Sequence, residues 1–244
     1  MIYSEILFYV LLLLVSFLYA SVGHGGASGY LALMALFSFA LDTMRPTALL
    51  LNIFVSAIAF FQYYRNGYFQ WKLFWPFAIA SIPAAFIGGM IEVDEGIYKK
   101  ILAVLLLFSV VKLLWSASQK IPHTNRQNLI LSLLIGMIIG LFSGMIGIGG
   151  GIILSPVILL LRWADMKQTA TVSALFIFVN SLAGLAGLCT KGIYFNASMG
   201  IMFAVVFVGG MAGAYLGAAK LPTAKLKYIL SAVLVIAAVK LIYT

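Results

Sequence analysis

Residues 129–161 read LILSLLIGMIIGLFSGMIGIGGGIILSPVILLL. The first part, 129–146, has the length and apolar content of a membrane-spanning helix, for which about 17 residues is near the lower limit. The cluster Gly147-Ile148-Gly149-Gly150-Gly151 then interrupts the run, and the apolar stretch that follows, 149–161, is too short to cross. A spanning run, a glycine break and an undersized run predict a broken or re-entrant helix pair inside a bilayer, where irregular backbone survives only if protein or a cavity surrounds it.

The composition agrees. Of 244 residues, 64% are hydrophobic and 9% charged, and the mean hydropathy is +1.13. Soluble domains carry about 25% charged residues, so a soluble globule is excluded, and the same apolar excess excludes disorder. Fifteen Lys and Arg against six Asp and Glu give a net charge of +9. These cations stand singly or in pairs between apolar runs, with no basic stripe, so nucleic acid is not an expected partner. They read instead as topology markers of a multi-pass membrane protein. Residues 6–20 resemble a signal-peptide core, yet the first twenty residues hold Glu5 and no Lys or Arg. Without a basic leader region they read as a retained first span. Cys189, the single cysteine, gives no redox information.

Ten apolar segments follow one another, at 6–22, 26–41, 47–64, 72–91, 98–116, 129–146, 149–161, 170–188, 197–217 and 226–243. A polar linker, 118–128, separates a first membrane repeat, 1–117, from a second, 129–244. Gly23, Gly25 and Gly26 match Gly147, Gly149 and Gly150; Arg45-Pro46-Thr47-Ala48 matches Lys167-Gln168-Thr169-Ala170. Ile53-Phe54-Val55-Ser56 matches Ile177-Phe178-Val179-Asn180, and two further matches follow in the same order at offsets of 121 to 128. Five segments per half put ten cations on one face and five on the other, whereas reading each short pair as one broken span splits them seven to eight. The positive-inside rule selects the first model, with a cytoplasmic linker. An odd number of segments makes the halves inverted repeats, an arrangement of many secondary transporters, with the short glycine-flanked helices meeting near the midplane.

The candidate site is built on those glycines. A helix that starts inside a membrane exposes its first N–H groups and the positive end of its dipole to an anion. Gly23, Gly25, Gly26, Gly147, Gly149, Gly150 and Gly151 would form two such starts, with Ser28 and Ser155 as added hydroxyl donors and Ser21 and Ser143 close by. The alternative use of glycine is close helix packing, which Gly136, Gly140 and Gly144 fit by their spacing. His24 is the one residue placed to couple a proton, or it is a structural histidine. Asn52, Ser56, Thr169, Thr171, Ser173, Asn180 and Ser181 lie on the segments after each short pair, where buried polar groups either line a cavity or bind helices together, and Ser56 and Asn180 occupy equivalent repeat positions. No carboxylate lies at midspan, so a carboxylate proton relay or cation site is not expected. Asp42 with Arg45, and Asp165 with Lys167, could pair as topological or gating ion pairs, while Lys112 and Lys240 can snorkel. No metal, cofactor, nucleotide loop or enzyme motif is present in the sequence.

Ser143-Gly144-Met145-Ile146-Gly147-Ile148-Gly149-Gly150-Gly151 through Pro156, its copy Ser21-Val22-Gly23-His24-Gly25-Gly26, and Thr169-Ala170-Thr171-Val172-Ser173 resemble the TauE/SafE family of sulfite and organosulfonate exporters. The first copy departs from the second at His24, and at Ala32 where the second has Pro156. The resemblance implies transport of sulfite, thiosulfate or a sulfonate, often export, across a bacterial inner membrane. The expected function is therefore a secondary transporter of a small sulfur-containing anion. A passive anion channel and a non-transporting membrane scaffold are the alternatives. The expected partners are the small anion and the lipid bilayer; a homo-oligomer is compatible with the sequence but not derivable from it.

Overall fold

The computed structural model describes residues 2–21, 26–115, 125–192, 197–217 and 223–243. The described residues form ten α-helices and no strand: α1 (Ile2–Ser21), α2 (Ala27–Leu36), α3 (Leu41–Arg65), α4 (Trp71–Met90), α5 (Glu95–Trp115), α6 (Leu129–Ile146), α7 (Gly151–Leu160), α8 (Met166–Cys189), α9 (Ala197–Gly217) and α10 (Thr223–Tyr243). Each apolar segment of the sequence is one helix, so this is an all-α polytopic membrane protein. Among the described residues α3, α4, α6 and α8 are long and apolar enough to cross a membrane. Large apolar side chains such as Ile79, Val104, Ile130 and Val208 stay more than half exposed, as lipid-facing residues do. Phe60, Tyr64, Phe69, Trp71 and Phe74 form a chain of ring contacts where α3 hands over to α4, in the manner of an interfacial aromatic belt.

The short helices are half-length. α2 and α7 have ten residues each, about 15 Å at 1.5 Å per residue, half of a hydrocarbon core of about 30 Å. Gly147 closes α6 in the left-handed conformation, its N–H donating to Ser143 O. The chain then doubles back, because a Cβ on Gly150 would lie 2.7 Å from Ile139 Cγ2, more than a turn before the end of α6. α7 runs back towards the start of α6, where Asn125 N donates to Arg162 O. A full-length helix outward and a glycine stretch with a half helix inward return the chain to its starting face.

Close approach through small residues holds the bundle. Gly136, Gly140 and Gly144 of α6 abut the carbonyls of Phe77, Ser81 and Ala85 of α4. Contacts that advance by four residues together on both helices mean that α4 and α6 run parallel. Gly209 and Gly213 of α9 abut the carbonyls of Leu13 and Phe17 of α1 in the same way. Exchanging α1–α5 for α6–α10 maps the packing partners onto one another: α4 on α6 becomes α9 on α1, α4 on α8 becomes α9 on α3, and α2 on α10 becomes α7 on α5. Single contacts follow suit, since Gly88 abuts Leu141 O just as Gly213 abuts Phe17 O. The repeats are therefore not two separate bodies: α4 leaves its own half to pack between α6 and α8.

Two sequence expectations need correction. α3 and α8 are unbroken, so the offset of 122 that pairs Arg45–Ala48 with Lys167–Ala170 cannot coexist with the offset of 124 at Ile53–Ser56. Ser56 Oγ donates to Asn52 O at 2.6 Å and Asn180 Nδ2 to Phe176 O at 2.8 Å, each one turn back in its own helix. The gating ion pairs do not form either. Asp165 caps α8, its Oδ1 accepting from Lys167 N at 2.8 Å and Gln168 N at 2.9 Å, while Gln168 Oε1 accepts from Asp165 N. A capping box satisfies otherwise orphaned donors, so Asp165→Ala should cost about 1 kcal/mol, read as a lowered thermal midpoint. Lys167 Nζ donates to Tyr68 Oη instead. Lys240 does more than snorkel: its Nζ donates to Ala35 O and Leu36 O, placing a cation at the negative end of the α2 dipole.

Candidate functional site

The turn from α6 into α7 is shaped by backbone that only glycine adopts without strain. Gly147, Gly149 and Gly150 have φ of +89°, +77° and +77°, the left-handed region that costs other residues about 1–2 kcal/mol. Gly150 is the N-cap of α7, whose first α-helical bond runs from Leu154 N to Gly150 O at 3.0 Å. The N–H groups of Gly151 and Ile152 precede that bond and point out of the helix start, where an anion is stabilised.

Side chains from two long helices converge there. A Cβ on Gly149 would lie 2.8 Å from Asn52 Nδ2 of α3, 3.0 Å from Ser181 Oγ of α8 and 2.8 Å from Ile177 Cγ2. Asn52 and Ser181 are fully buried. Asn52 Nδ2, Asn52 Oδ1, Ser181 Oγ and the neighbouring Ser143 Oγ have no partner among the described residues. A buried amide or hydroxyl without a partner costs roughly 1–3 kcal/mol.

The residues nominated by the sequence separate into three groups. Gly147, Gly149, Gly150, Gly151 and Asn52 come together at the start of α7. Ser155, Ser56, Asn180 and Ser28 are engaged in other bonds: Ser155 Oγ donates to Gly151 O at 2.7 Å and shares a 2.9 Å hydroxyl contact with Ser173 Oγ, and Ser56 Oγ donates to its own helix. Asn180 Nδ2 is likewise held by its helix, its Oδ1 without a partner among the described residues, and Ser28 Oγ shares a 2.7 Å bond with Tyr19 Oη. Gly23, His24 and Gly25 lie outside the described residues, and with them the meeting of two helix starts. Gly26 is the N-cap of α2, where an added Cβ would overlap the buried Tyr30 hydroxyl, which has no partner among the described residues.

Tyr30 and Arg45 are not among the site candidates of the sequence, and Ser181 stands there only as one of several polar residues on the segments after the short pairs. Ser181 is one residue from Asn180, and a helix turns by about 100° per residue, so only a register that aims Ile177 at Gly149 selects it. Arg45 is placed in a loop by hydropathy, but α3 begins at Leu41 and encloses it. Its Nη1 donates to Ile91 O at 3.3 Å, and Nη2 to Gly89 O and Gly144 O at 3.4 Å.

The sulfite exporter TauE/SafE family model matches residues 8–241. The chain belongs to the TauE/SafE family. It is 37% identical over 231 residues to a probable membrane transporter protein of Sinorhizobium fredii, covering 92% of this chain and 93% of that one. A probable membrane transporter protein of Methanocaldococcus jannaschii is 26% identical over 156 residues, 62% of this chain and 58% of that one. No solved structure matches significantly. The TauE/SafE chain described here is thus a multi-pass membrane transporter, and its helix pairing is the scaffold on which the glycine turn is held.

Proposed function

We propose that the protein is a secondary transporter that exports a small sulfur-containing anion, such as sulfite, thiosulfate or a sulfonate, across the bacterial inner membrane. The observation that carries this reading is the convergence of the unpartnered Asn52 amide and Ser181 hydroxyl on Gly149, at the start of a half-length helix. The N–H groups of Gly151 and Ile152, with Asn52 Nδ2 and Ser181 Oγ, hold the anion's oxygens, and the α7 dipole supplies the compensating positive potential. No fixed cation at that point keeps binding weak enough for release. Ile177, Ile139 and Phe176 crowd Gly149 and Gly150, so the anion enters only when α3 and α8 shift, which fits a carrier better than an open channel. The driving force is the anion's own gradient or a proton gradient, with His24 as the titrating group in the second case.

Counterflow of radiolabelled sulfite into sulfite-loaded proteoliposomes tests the reading. Wild-type protein should accumulate label transiently, and Asn52→Leu should lose at least tenfold in rate, since a hydrogen bond to a charged partner is worth about 1.5–3 kcal/mol. Flux without counterflow means a channel. Absence of flux for sulfite, thiosulfate and sulfoacetate alike overturns the proposal.

A further inference from the structure

A second polar place lies on the α3 face of the glycine turn. A cavity of about 420 Å³ opens between the start of α3, the connection after α4 and the end of α8, with Arg45 in its wall. Arg45 is only 8% exposed. Its three carbonyl bonds, at 3.3–3.4 Å, are long, and its Nε has no partner among the described residues. Among the described residues no carboxylate lies within ion-pair distance of it. A buried cation satisfied by stretched carbonyl contacts leaves a positive charge to be matched, and a guanidinium fork matches a planar or pyramidal oxyanion better than any other side chain.

The position of Arg45 connects it with the candidate site. Arg45 and Asn52 are seven residues apart on α3, hence on one face and about 10 Å apart along the axis. Gly144, which accepts from Arg45 Nη2, is in the last turn of α6. A Cβ on Gly147 would lie 3.3 Å from Arg45 O. Arg45 thus stands in the cavity wall and beside the glycine turn, on the face of α3 that carries Asn52. Across the cavity Lys191 Nζ meets Glu92 Oε1 at 2.7 Å, joining the loop after α4 to the end of α8. Asp42 is the other carboxylate in the wall.

We propose that Arg45 forms a second oxyanion subsite at the mouth of the path, and that the Glu92–Lys191 pair is a latch across it. An arriving anion replaces the Glu92 carboxylate at Lys191 and engages Arg45, so that the loop after α4 parts from the end of α8. The path belongs to the transporter reading above; the subsite itself is tested by binding alone.

The experiment measures the thermal midpoint of the full-length purified protein against sulfite at constant ionic strength, since a ligand of the folded state raises it by mass action. In an Asn52→Leu background the response should persist and should be lost on adding Arg45→Gln, while Arg45→Lys weakens it several-fold. Glu92→Gln, an exposed change that leaves the arginine bonds intact, should tighten the half-saturating sulfite concentration about threefold, and Lys191→Gln should weaken it. A response unchanged by Arg45→Gln and Arg45→Lys, or no response to sulfite at all, overturns the subsite. Titrations of Glu92→Gln and Lys191→Gln that match wild type overturn the latch. Counterflow that survives these failures leaves the transporter reading standing, and its absence alongside an Arg45-dependent response removes that reading and not the subsite.

Discussion

Gly149→Ala is expected to reduce sulfite counterflow to background, a loss of at least 30-fold, in a protein that still purifies as a single species. The new Cβ would sit 2.8 Å from Asn52 Nδ2 and 3.0 Å from Ser181 Oγ, in the space where the two donors reach the helix start. The backbone adds about 1–2 kcal/mol of left-handed strain, which lowers stability without touching the chemistry. Gly67→Ala separates the two effects. Gly67 has φ of +76° and nothing within 4 Å of an added Cβ, so it pays the same strain in an exposed turn between α3 and α4. Its counterflow should equal wild type. If Gly149→Ala also transports as wild type does, the α7 start is not where the anion binds.

Gly144→Leu should fail to accumulate in the membrane, and Gly144→Ala should lower the thermal midpoint more than any other single-methyl change in α6. Three helices meet at this residue: an added Cβ would overlap Ala85 O of α4 and lie 2.8 Å from Gly89 N, while Gly184 of α8 approaches Gly144 Cα to within 3.2 Å of its own added Cβ. Overpacking commonly costs 1–3 kcal/mol where side chains can yield; here the obstacle is backbone, which cannot. Lipid is as apolar as leucine, so membrane helices associate through this close packing rather than through burial from water. Gly200→Ala is the matching control, since an added Cβ meets nothing within 4 Å, and it should stabilise α9 by about 0.5–1 kcal/mol. Detergent-extracted yield on size exclusion and the thermal midpoint read both variants.

Much of the helical architecture is legible one residue at a time. The ten apolar segments are the ten helices, and 129–146 and 197–217 agree with α6 and α9 to the residue. Where the boundaries moved, chemistry explains the shift. Asp42, Arg45 and Pro46 look like loop residues by hydropathy, yet all three lie in the first two turns of α3, and Arg45 donates to carbonyls in the last turns of α4 and α6. The start of α8 moved from 170 to Met166 because Asp165 and Gln168 form a capping box, a pattern of polar residues that a hydropathy window averages away.

The candidate site divides in the same manner. Glycine runs beside undersized helices can be found in sequence because their cause is local: left-handed backbone and a helix too short to span. Which polar side chains reach those glycines cannot be found there. Asn180 and Ser56 stood out through repeat equivalence, but each bonds its own helix, while Ser181 beside one of them and Asn52 four residues before the other face Gly149. Hydropathy, glycine placement and cation counting, all sums over neighbouring residues, determined a multi-pass helical protein with two broken helix pairs. Only the tertiary structure decided that α4 and α9 cross into the opposite repeat, that Arg45 is buried and that Asn52 and Ser181 converge on α7, because rotation about a helix axis is set by backbone contacts between helices distant in sequence.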